Sequence, residues 1–290
     1  MPLVPFPELM AEAESGGYAV GYFEPWDLQS LLAVLQGAED ARSPVMVGQS
    51  GIFLPTMLRG EMRHFPAFAH AGRIACENCR VPVSYLFNET PRWDWAIASL
   101  DMGFNVTMYS NPDDDPETHV LRTAELVRRA AQVGVAVQSE LGSLESDGEL
   151  AQTGPEEAAD FVRRTGVDAL GVVAGNRHVF TGTFELDVEL VGRLAEAAGV
   201  PLVLHGGSGA RDDNLRDGIA RGIRQVNYGS AQRRAFLACL RDSMNRGWDP
   251  DDMHLLLGTG LEQDLMRPGL EAVSALVAEK CVVLGSSGKA

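Results

Sequence analysis

The sequence is poor in cysteine and in positive charge, and it has no long apolar run. Its four cysteines among 290 residues are too few and too scattered for a disulfide framework. Lysine and arginine total 24 against 40 acidic residues, and the net charge of -16 disfavours nucleic acid and membrane surfaces, because their phosphates would be repelled. No segment reaches the roughly 18 apolar residues that a membrane span needs, and the N-terminal residues lack a signal-peptide pattern. We therefore expect a cytoplasmic protein without nucleic-acid or membrane partners.

The chain does contain short apolar runs that alternate with longer segments of helical periodicity. Such alternation predicts a parallel sheet, and eight units in 290 residues fit a closed (β/α)8 TIM barrel better than an open doubly wound sheet. The first unit has no G-x-G-x-x-G segment, which further disfavours a dinucleotide-binding fold. We predict an α/β TIM barrel, formed by residues 1–290 as a single domain, with a helical C-terminal extension over about 250–290. The predicted strands lie in residues 18–23, 44–48, 81–87, 104–110, 135–141, 167–175, 200–210 and 223–231.

The polar residues at the ends of the predicted strands are the candidates for a site, because TIM-barrel chemistry sits where strands end. His178 and His205 follow neighbouring strands, and carboxylates stand on the same rim. Either histidine alone could simply cap a loop. Together with the carboxylates they predict a divalent metal site, since imidazole nitrogen and carboxylate oxygen ligate Zn²⁺ and related ions. The other candidates at strand ends are Glu24, Ser50, Asn88, Glu89, Glu140, Arg177, Asn227 and Ser230.

Two glycine-containing turns follow the last two predicted strands, in the segments HGGSGA (205–210) and NYGS (227–230). A residue without a side chain lets backbone N–H groups approach an anion closely. A plain tight turn is the alternative interpretation of each segment. Two such turns on consecutive strands favour a phosphate site, because the loops after strands 7 and 8 commonly bind phosphate in TIM barrels. The predicted phosphate-binding residues are Gly206, Gly207, Ser208, Asn227, Gly229 and Ser230.

Several longer segments together resemble the class II (metal-dependent) ketose-bisphosphate aldolases, nearest to the fructose- and tagatose-bisphosphate branch. They include GGYAVGYF, RSPVMVGQS, DMGFNVTMYS, SELGSL, LVLHGGSG and QVNYGSA, in order along nearly the whole chain. The resemblance implies a lyase of carbohydrate metabolism that acts on a small phosphorylated ketose through an enediolate stabilised by a divalent metal, usually zinc. It also implies a homodimer or homotetramer. It assigns His178 and His205 to the metal, the glycine turns to phosphate, and Glu140 to the acid before the loop after strand 5.

The third predicted strand departs from the family pattern. The family has V-P-V-A-L-H-L-D-H-G where this chain has VPVSYLFNET at 81–90. Asn88 stands in place of the proton-transferring aspartate, and Glu89 stands in place of a metal-binding histidine. Two histidines and one glutamate still form a catalytic zinc set, although the added negative charge would favour harder ions such as Mn²⁺ or Mg²⁺.

Two further departures concern proton transfer and phosphate binding. An amide cannot accept and return a proton, so the loss of the aspartate predicts another acid/base group. Glu24, which replaces a family asparagine after strand 1, and Glu89 are the candidates. The family's H-G-x-Y-K-G segment after strand 6 is shortened to HVFTG (178–182), and Arg177 is expected to replace part of the lost positive charge.

Three functions remain open from the sequence. The favoured one is a metal-dependent aldolase-type lyase for a phosphorylated ketose or a related phosphorylated substrate, with rebuilt acid/base residues at Asn88, Glu89, Glu24 and Glu140. The second is a metal-dependent barrel enzyme of another reaction type, such as an isomerase, an epimerase or a catalyst of different carbon–carbon bond chemistry. The third is a non-catalytic relative that binds a sugar phosphate or a partner protein.

Overall fold

The computed structural model describes residues 3–142, 151–177, 182–247 and 249–290. Eight parallel strands close into a barrel in sequence order, and the first strand pairs with the last. This confirms the predicted TIM barrel. The strands are β1 (Val20–Phe23), β2 (Val45–Ser50), β3 (Val83–Thr90), β4 (Val106–Tyr109), β5 (Ala136–Glu140), β6 (Ala169–Gly171), β7 (Leu202–Leu204) and β8 (Ile223–Tyr228).

The helices form the outer layer, and short 3-10 turns lie at Met62–His64, Gly207–Gly209 and Pro250–Asp252. None of the helices in the described part of the chain is long and apolar enough to cross a membrane. The helices are α1 (Phe6–Gly16), α2 (Leu28–Ala41), α3 (Phe53–Met57), α4 (Phe65–Glu77), α5 (Trp93–Ser99), α6 (Pro116–Ala130), α7 (Pro155–Thr165), α8 (Val188–Ala198), α9 (Asp212–Ala220), α10 (Ser230–Asn245), α11 (Met253–Leu256) and α12 (Arg267–Val283).

Helix α1 closes the amino-terminal end of the barrel, an element that the sequence analysis did not assign. Its buried residues Phe6, Leu9, Met10 and Ala13 recur at three- and four-residue spacing and therefore form one apolar face. That face belongs to the same buried cluster as the inward-pointing residues of the strands. Residues before α1 attach to the start of β3, where the Val4 N–H donates to the Val83 carbonyl at 2.9 Å. The opposite, carboxyl end of the barrel stays open for a site.

The predicted helical C-terminal extension consists of α11, α12 and the turn before them, and α12 packs against α2 and α10. The contact with α2 is close at Gly37, where an added Cβ would lie 2.3 Å from the Ser274 carbonyl oxygen. The Ser274 hydroxyl in turn donates to the Ala33 carbonyl at 2.8 Å. The last residues continue this attachment, since the Ala290 N–H donates to the Arg42 carbonyl at 3.0 Å.

Gly37→Ala is expected to lower the free energy of unfolding by about 1–3 kcal/mol, because the new methyl group must displace backbone between α2 and α12. Urea denaturation followed by circular dichroism measures the change. Gly192→Ala is the matched control, since Gly192 also lies inside a helix but its added Cβ would meet only the flexible Arg221 side chain, with Nη1 at 3.5 Å and Cδ at 3.8 Å. The control should be neutral or stabilising. Equal stability of both variants would show that the α2–α12 contact is not tightly packed.

Candidate active site

A cavity of about 430 Å³ lies at the carboxyl ends of the strands. Its polar wall comes from the ends of β1, β3, β7 and β8, and its apolar wall comes from α3 and α10 and the residue before α3. Charged, amide and imidazole groups therefore face a space large enough for a small phosphorylated metabolite. The polar wall contains Tyr22, Glu24, Asn88, Glu89, His205 and Asn227, and the apolar wall contains Ile52, Phe53 and Leu237.

His205 and Glu89 contact each other directly across the barrel, with 2.6 Å between His205 Nδ1 and Glu89 Oε1. Only 3% of the His205 side chain is exposed. Burial by itself would lower the pKa of His205, but the hydrogen bond and the charge of Glu89, together with the charges of Glu140 and Glu24, raise it to about 9. The metal-free pair is therefore an imidazolium and a carboxylate at neutral pH.

Glu89 reaches His205 because β3 is irregular at its end. The pairing of β3 with β4 shifts register between Phe87 and Thr90. Glu89 itself has φ of +52°, a left-handed conformation that is uncommon for a residue with a side chain. Such strain is often found at functional sites, where the surrounding structure maintains it. Here it aims a carboxylate into the cavity.

Glu140 completes a group of three possible metal ligands. One ligand atom each from Glu89, Glu140 and His205 lies within 4.8 Å of the other two. Glu140 Oε2 is 4.0 Å from His205 Nε2, and its Oε1 accepts a hydrogen bond from the Ser110 hydroxyl at 2.7 Å. Glu140 was predicted as a catalytic acid, and the structure places it beside the predicted metal ligands.

Glu24 is a further carboxylate of the cavity and is buried. Three side chains hydrogen-bond to this residue. Arg233 Nη2 donates to Glu24 Oε1 at 3.0 Å, and Gln232 Nε2 donates to the Glu24 carbonyl at 2.6 Å. The Asn88 side chain also hydrogen-bonds to the Glu24 carboxyl group. Burial and then the charge of Glu89 raise the pKa of Glu24, against the opposing effects of Arg233 and Asn88.

The two glycine turns meet at the start of α10. Gly206 has φ of +76°, and an added Cβ at Gly207 would lie 2.4 Å from Val226 Cγ1, so both positions favour glycine. The Ser208 hydroxyl accepts a hydrogen bond from the Ala231 N–H at 3.1 Å. Arg234 Nη2 donates to the Ser208 carbonyl at 3.4 Å, and its Nη1 donates to the Ser230 hydroxyl at 3.4 Å. A guanidinium group therefore stands at the predicted phosphate turns.

The remaining predicted residues have different positions. Asn227 lies in the cavity, with its Nδ2 3.4 Å from His205 Nε2 and its Oδ1 accepting from Gln225 at 2.8 Å. Ser50 is buried but lines an adjoining cavity of about 290 Å³, which shares Phe53 and Arg233 with the main one. Arg177 is exposed after β6. His178, predicted as a metal ligand, lies outside the described residues.

Several polar residues of the site were not identified from the sequence, among them Tyr22, Ser110, Arg233 and Arg234. Tyr22 lies inside β1, where the sequence predicts only an ordinary barrel residue. Arg233 and Arg234 lie in the first turns of α10 and not at a strand end. Ser110 follows a strand end and could have been found by the same rule that identified Ser50. The arginines could have been found from the expectation that a phosphate site in an acidic protein needs local cations.

Comparison with known proteins shows one family throughout. Residues 4–289 match the family model described as fructose-bisphosphate aldolase class-II. The chain is 30% identical to the fructose-bisphosphate aldolase of Geobacillus stearothermophilus, over 100% of this chain and 99% of that one. The crystal structure of the YdjI aldolase from Escherichia coli K12 superposes with a TM-score of 0.83 at 28% identity, covering 99% of both chains. A putative fructose-1,6-bisphosphate aldolase from Coccidioides immitis gives a TM-score of 0.81 at 25% identity, covering 97% of this chain and 96% of that one.

Proposed function

The chain belongs to the class II fructose-bisphosphate aldolase family, and we propose that it cleaves or forms a carbon–carbon bond in a phosphorylated ketose with Glu24 as its acid/base group. The observation that carries this proposal is the group formed by His205, Glu89 and Glu140 at the carboxyl end of the barrel, beside the glycine turns. A cation site and an anion site within one cavity suit a ketose phosphate, whose carbonyl and phosphate must be bound together.

The residues present fit the divalent metal that the family implies. One imidazole and two carboxylates lie within 4.8 Å of one another, and these are usual ligands of zinc and of manganese. His205, Glu89 and Glu140 would hold the ion, with His178 as the further ligand predicted from the sequence. When bound, such an ion polarises a substrate carbonyl as a Lewis acid. Binding must also displace a proton from the His205 imidazolium, because metal ligands have to be deprotonated.

The glycine turns and Arg234 would hold the phosphate. Backbone N–H groups of the turn after β7 and of the start of α10 are suited to accept an anion. The guanidinium of Arg234, which contacts both turns through Ser208 and Ser230, supplies positive charge there. Arg234 thus provides the positive charge that was expected from Arg177, which is exposed after β6. Asn227 would contribute through its amide, whose Nδ2 lies 3.4 Å from His205 Nε2.

Glu24 would transfer the proton that the family's aspartate transfers. In the cleavage direction its carboxylate accepts the proton of the substrate hydroxyl as the adjacent carbon–carbon bond breaks and an aldehyde leaves. The same group then returns the proton to the carbon of the phosphorylated fragment. A pKa raised by burial brings the carboxyl closer to neutrality, where such a group both accepts and donates. Asn88 and Arg233 keep it in place.

We further infer that the resident ion is zinc, that the chain works as one domain in a homodimer or homotetramer, and that it acts in the cytoplasm. The imidazole of His205 favours zinc, whereas the two carboxylates also suit Mn²⁺ and Mg²⁺. Mass spectrometry of the purified protein identifies the metal.

The proposed function is tested by incubating the metal-loaded protein with dihydroxyacetone phosphate in D2O. We expect proton NMR to show exchange of one C3 proton, and we expect an aldol product when an aldehyde is added. Exchange without any aldol product would favour a different enolate reaction. A loaded protein that gives neither exchange nor product would contradict the proposal.

A further inference from the structure

Two glutamines lie in the interior of the barrel, one layer below the site. Gln138 on β5 is 1% exposed, and Gln225 on β8 is 0% exposed. Side chains two residues apart on a strand point to the same side, so Gln138 lies one layer below Glu140. Gln225 lies below Asn227 for the same reason. The layers beneath them are filled by apolar residues of the strands and of α1, where an amide is unfavourable unless it is hydrogen-bonded.

The two glutamines hydrogen-bond to each other and then to Asn227. Gln138 Nε2 donates to Gln225 Oε1, and Gln225 Nε2 donates back to Gln138 Oε1 at 3.3 Å. Gln225 Nε2 also donates to Asn227 Oδ1 at 2.8 Å. Because β6 and β7 separate β5 from β8 in the barrel, the glutamine pair spans the interior. A continuous row of three amides therefore joins β5 to the wall of the cavity.

This row gives the Asn227 amide one orientation. Its oxygen accepts from Gln225, so its N–H end is directed at His205, where Nδ2 lies 3.4 Å from His205 Nε2. The residues that the structure shows around the cavity include Asn227 and His205 but neither glutamine. A turned amide would present its oxygen to the cavity, and an acceptor repels the anionic oxygens of a phosphate. The orientation of this amide therefore decides whether Asn227 favours or opposes an anionic ligand.

We propose that Gln138 and Gln225 are positioning residues that keep the Asn227 N–H group directed at a phosphorylated ligand. They act through Asn227 and do not contact the ligand themselves. The inference rests on the proposed function, which places a phosphate within reach of Asn227. A side chain that is oriented before binding loses less conformational freedom when the ligand binds. The row should therefore raise the affinity for phosphate without adding a contact of its own.

The test replaces both glutamines by methionine, which has a similar length and no amide. Removing both partners of a buried hydrogen bond together is less disruptive than removing one, because neither amide of the pair is left unpaired. Calorimetric titration of the metal-loaded proteins with glycerol 3-phosphate, an unreactive probe, measures the effect. We expect Gln138→Met/Gln225→Met to bind the probe about three- to tenfold more weakly than the wild type, the effect of weakening one hydrogen bond. Its metal content should match the wild type.

Asn227→Ala supplies the decisive comparison. If the glutamines act only through Asn227, the two methionine substitutions should have no further effect on probe binding in an Asn227→Ala protein, since interacting residues give non-additive effects. A general loosening of the barrel would weaken binding by the same factor in both backgrounds. Thr107→Val is the control, because its buried hydroxyl bonds to that of Ser99 on α5, at 2.8 Å. This variant loses a buried hydrogen bond but should bind the probe as the wild type does.

Gln138→Met alone is a second variant in case the paired one does not fold. It keeps the hydrogen bond between Gln225 and Asn227 but removes the partner that holds Gln225, so a smaller loss that again requires Asn227 is expected.

Wild-type affinity in the glutamine variants would overturn the inference, as would an equal loss of affinity with and without Asn227. Failure of the wild type to bind glycerol 3-phosphate would overturn it too. A loss of affinity that requires Asn227, in a protein without aldol activity, would support the positioning role and contradict the proposed reaction alone.

Discussion

His205→Ala is expected to weaken divalent metal binding by more than about 100-fold and to remove aldol activity with it. The imidazole is the nitrogen ligand of the group, and even groups that only orient a metal ligand contribute about 10- to 100-fold to affinity. Glu89 and Glu140 would remain, with His178 as the further ligand predicted from the sequence, but the ion would lose the imidazole that lies among the described ligands. Dialysis against zinc followed by mass spectrometry of the bound metal measures the change. His70→Ala is the control, since His70 is an exposed histidine on α4.

The same substitution has an expected effect in the metal-free protein, which tests the site without any metal. The pKa of His205 is about 9 in the folded protein against an ordinary value of 6.5, so the folded state binds the proton more tightly than the unfolded state. This contribution to stability is fully present below about pH 6.5 and is lost as the pH rises through about 9. The melting temperature of the metal-free wild type should therefore fall more steeply over this window than that of His205→Ala.

Retained stoichiometric metal in His205→Ala would contradict the assigned ligand group. Parallel pH dependence of the two metal-free proteins would show that His205 and Glu89 do not form the charged pair. Loss of metal together with a clear difference in pH dependence would support both statements. The His70→Ala control should match the wild type in metal content and in the pH dependence of melting.

The barrel was predictable because its signal is distributed over the whole chain. Eight apolar runs and the helical periodicity between them outweigh errors at single elements, such as the predicted strand at 167–175, which is the three-residue β6 (Ala169–Gly171) in the structure. Helix α1 was not assigned because one amphipathic segment of eleven residues gives a weak signal. Its position became evident only from the apolar interior that it covers.

From the sequence, the site could be predicted only as the group of polar residues at the ends of the strands. The rule that strand ends meet places Glu89, Glu140 and His205 at one rim, but the hydrogen bond between Glu89 and His205 depends on a register shift and a left-handed residue. No residue pattern specifies that local geometry. Arg233 was missed for a related reason, because its contact with Glu24 joins residues 209 positions apart, through a side chain of α10. Such contacts follow from the closed barrel and not from local sequence.

Glu24→Gln is expected to lower kcat by about 10²–10⁴-fold, the usual contribution of a general acid/base group. The substitution keeps the size of the side chain and an oxygen that can accept from Arg233, while it removes the ability to bind and return a proton. Metal content and the binding of glycerol 3-phosphate should stay at wild-type values. These two measurements separate the role of Glu24 from that of Glu89, whose replacement should reduce metal content as well.

The pH dependence gives the decisive comparison for Glu24. The Glu24 carboxyl group must be ionised to act as a base in the cleavage direction. Wild-type kcat should therefore fall as the pH drops through the raised pKa of Glu24. This decrease of kcat at low pH should be absent in Glu24→Gln. Glu189→Gln is the matched control, because Glu189 also pairs with an arginine, Arg221 at 2.7 Å, but on the outer helix α8. It should keep wild-type kcat. The proposal would be contradicted if the kcat of Glu24→Gln lay within tenfold of the wild-type value and still fell at low pH. Another carboxylate would then transfer the proton, and Glu24 would serve only as a partner for Arg233.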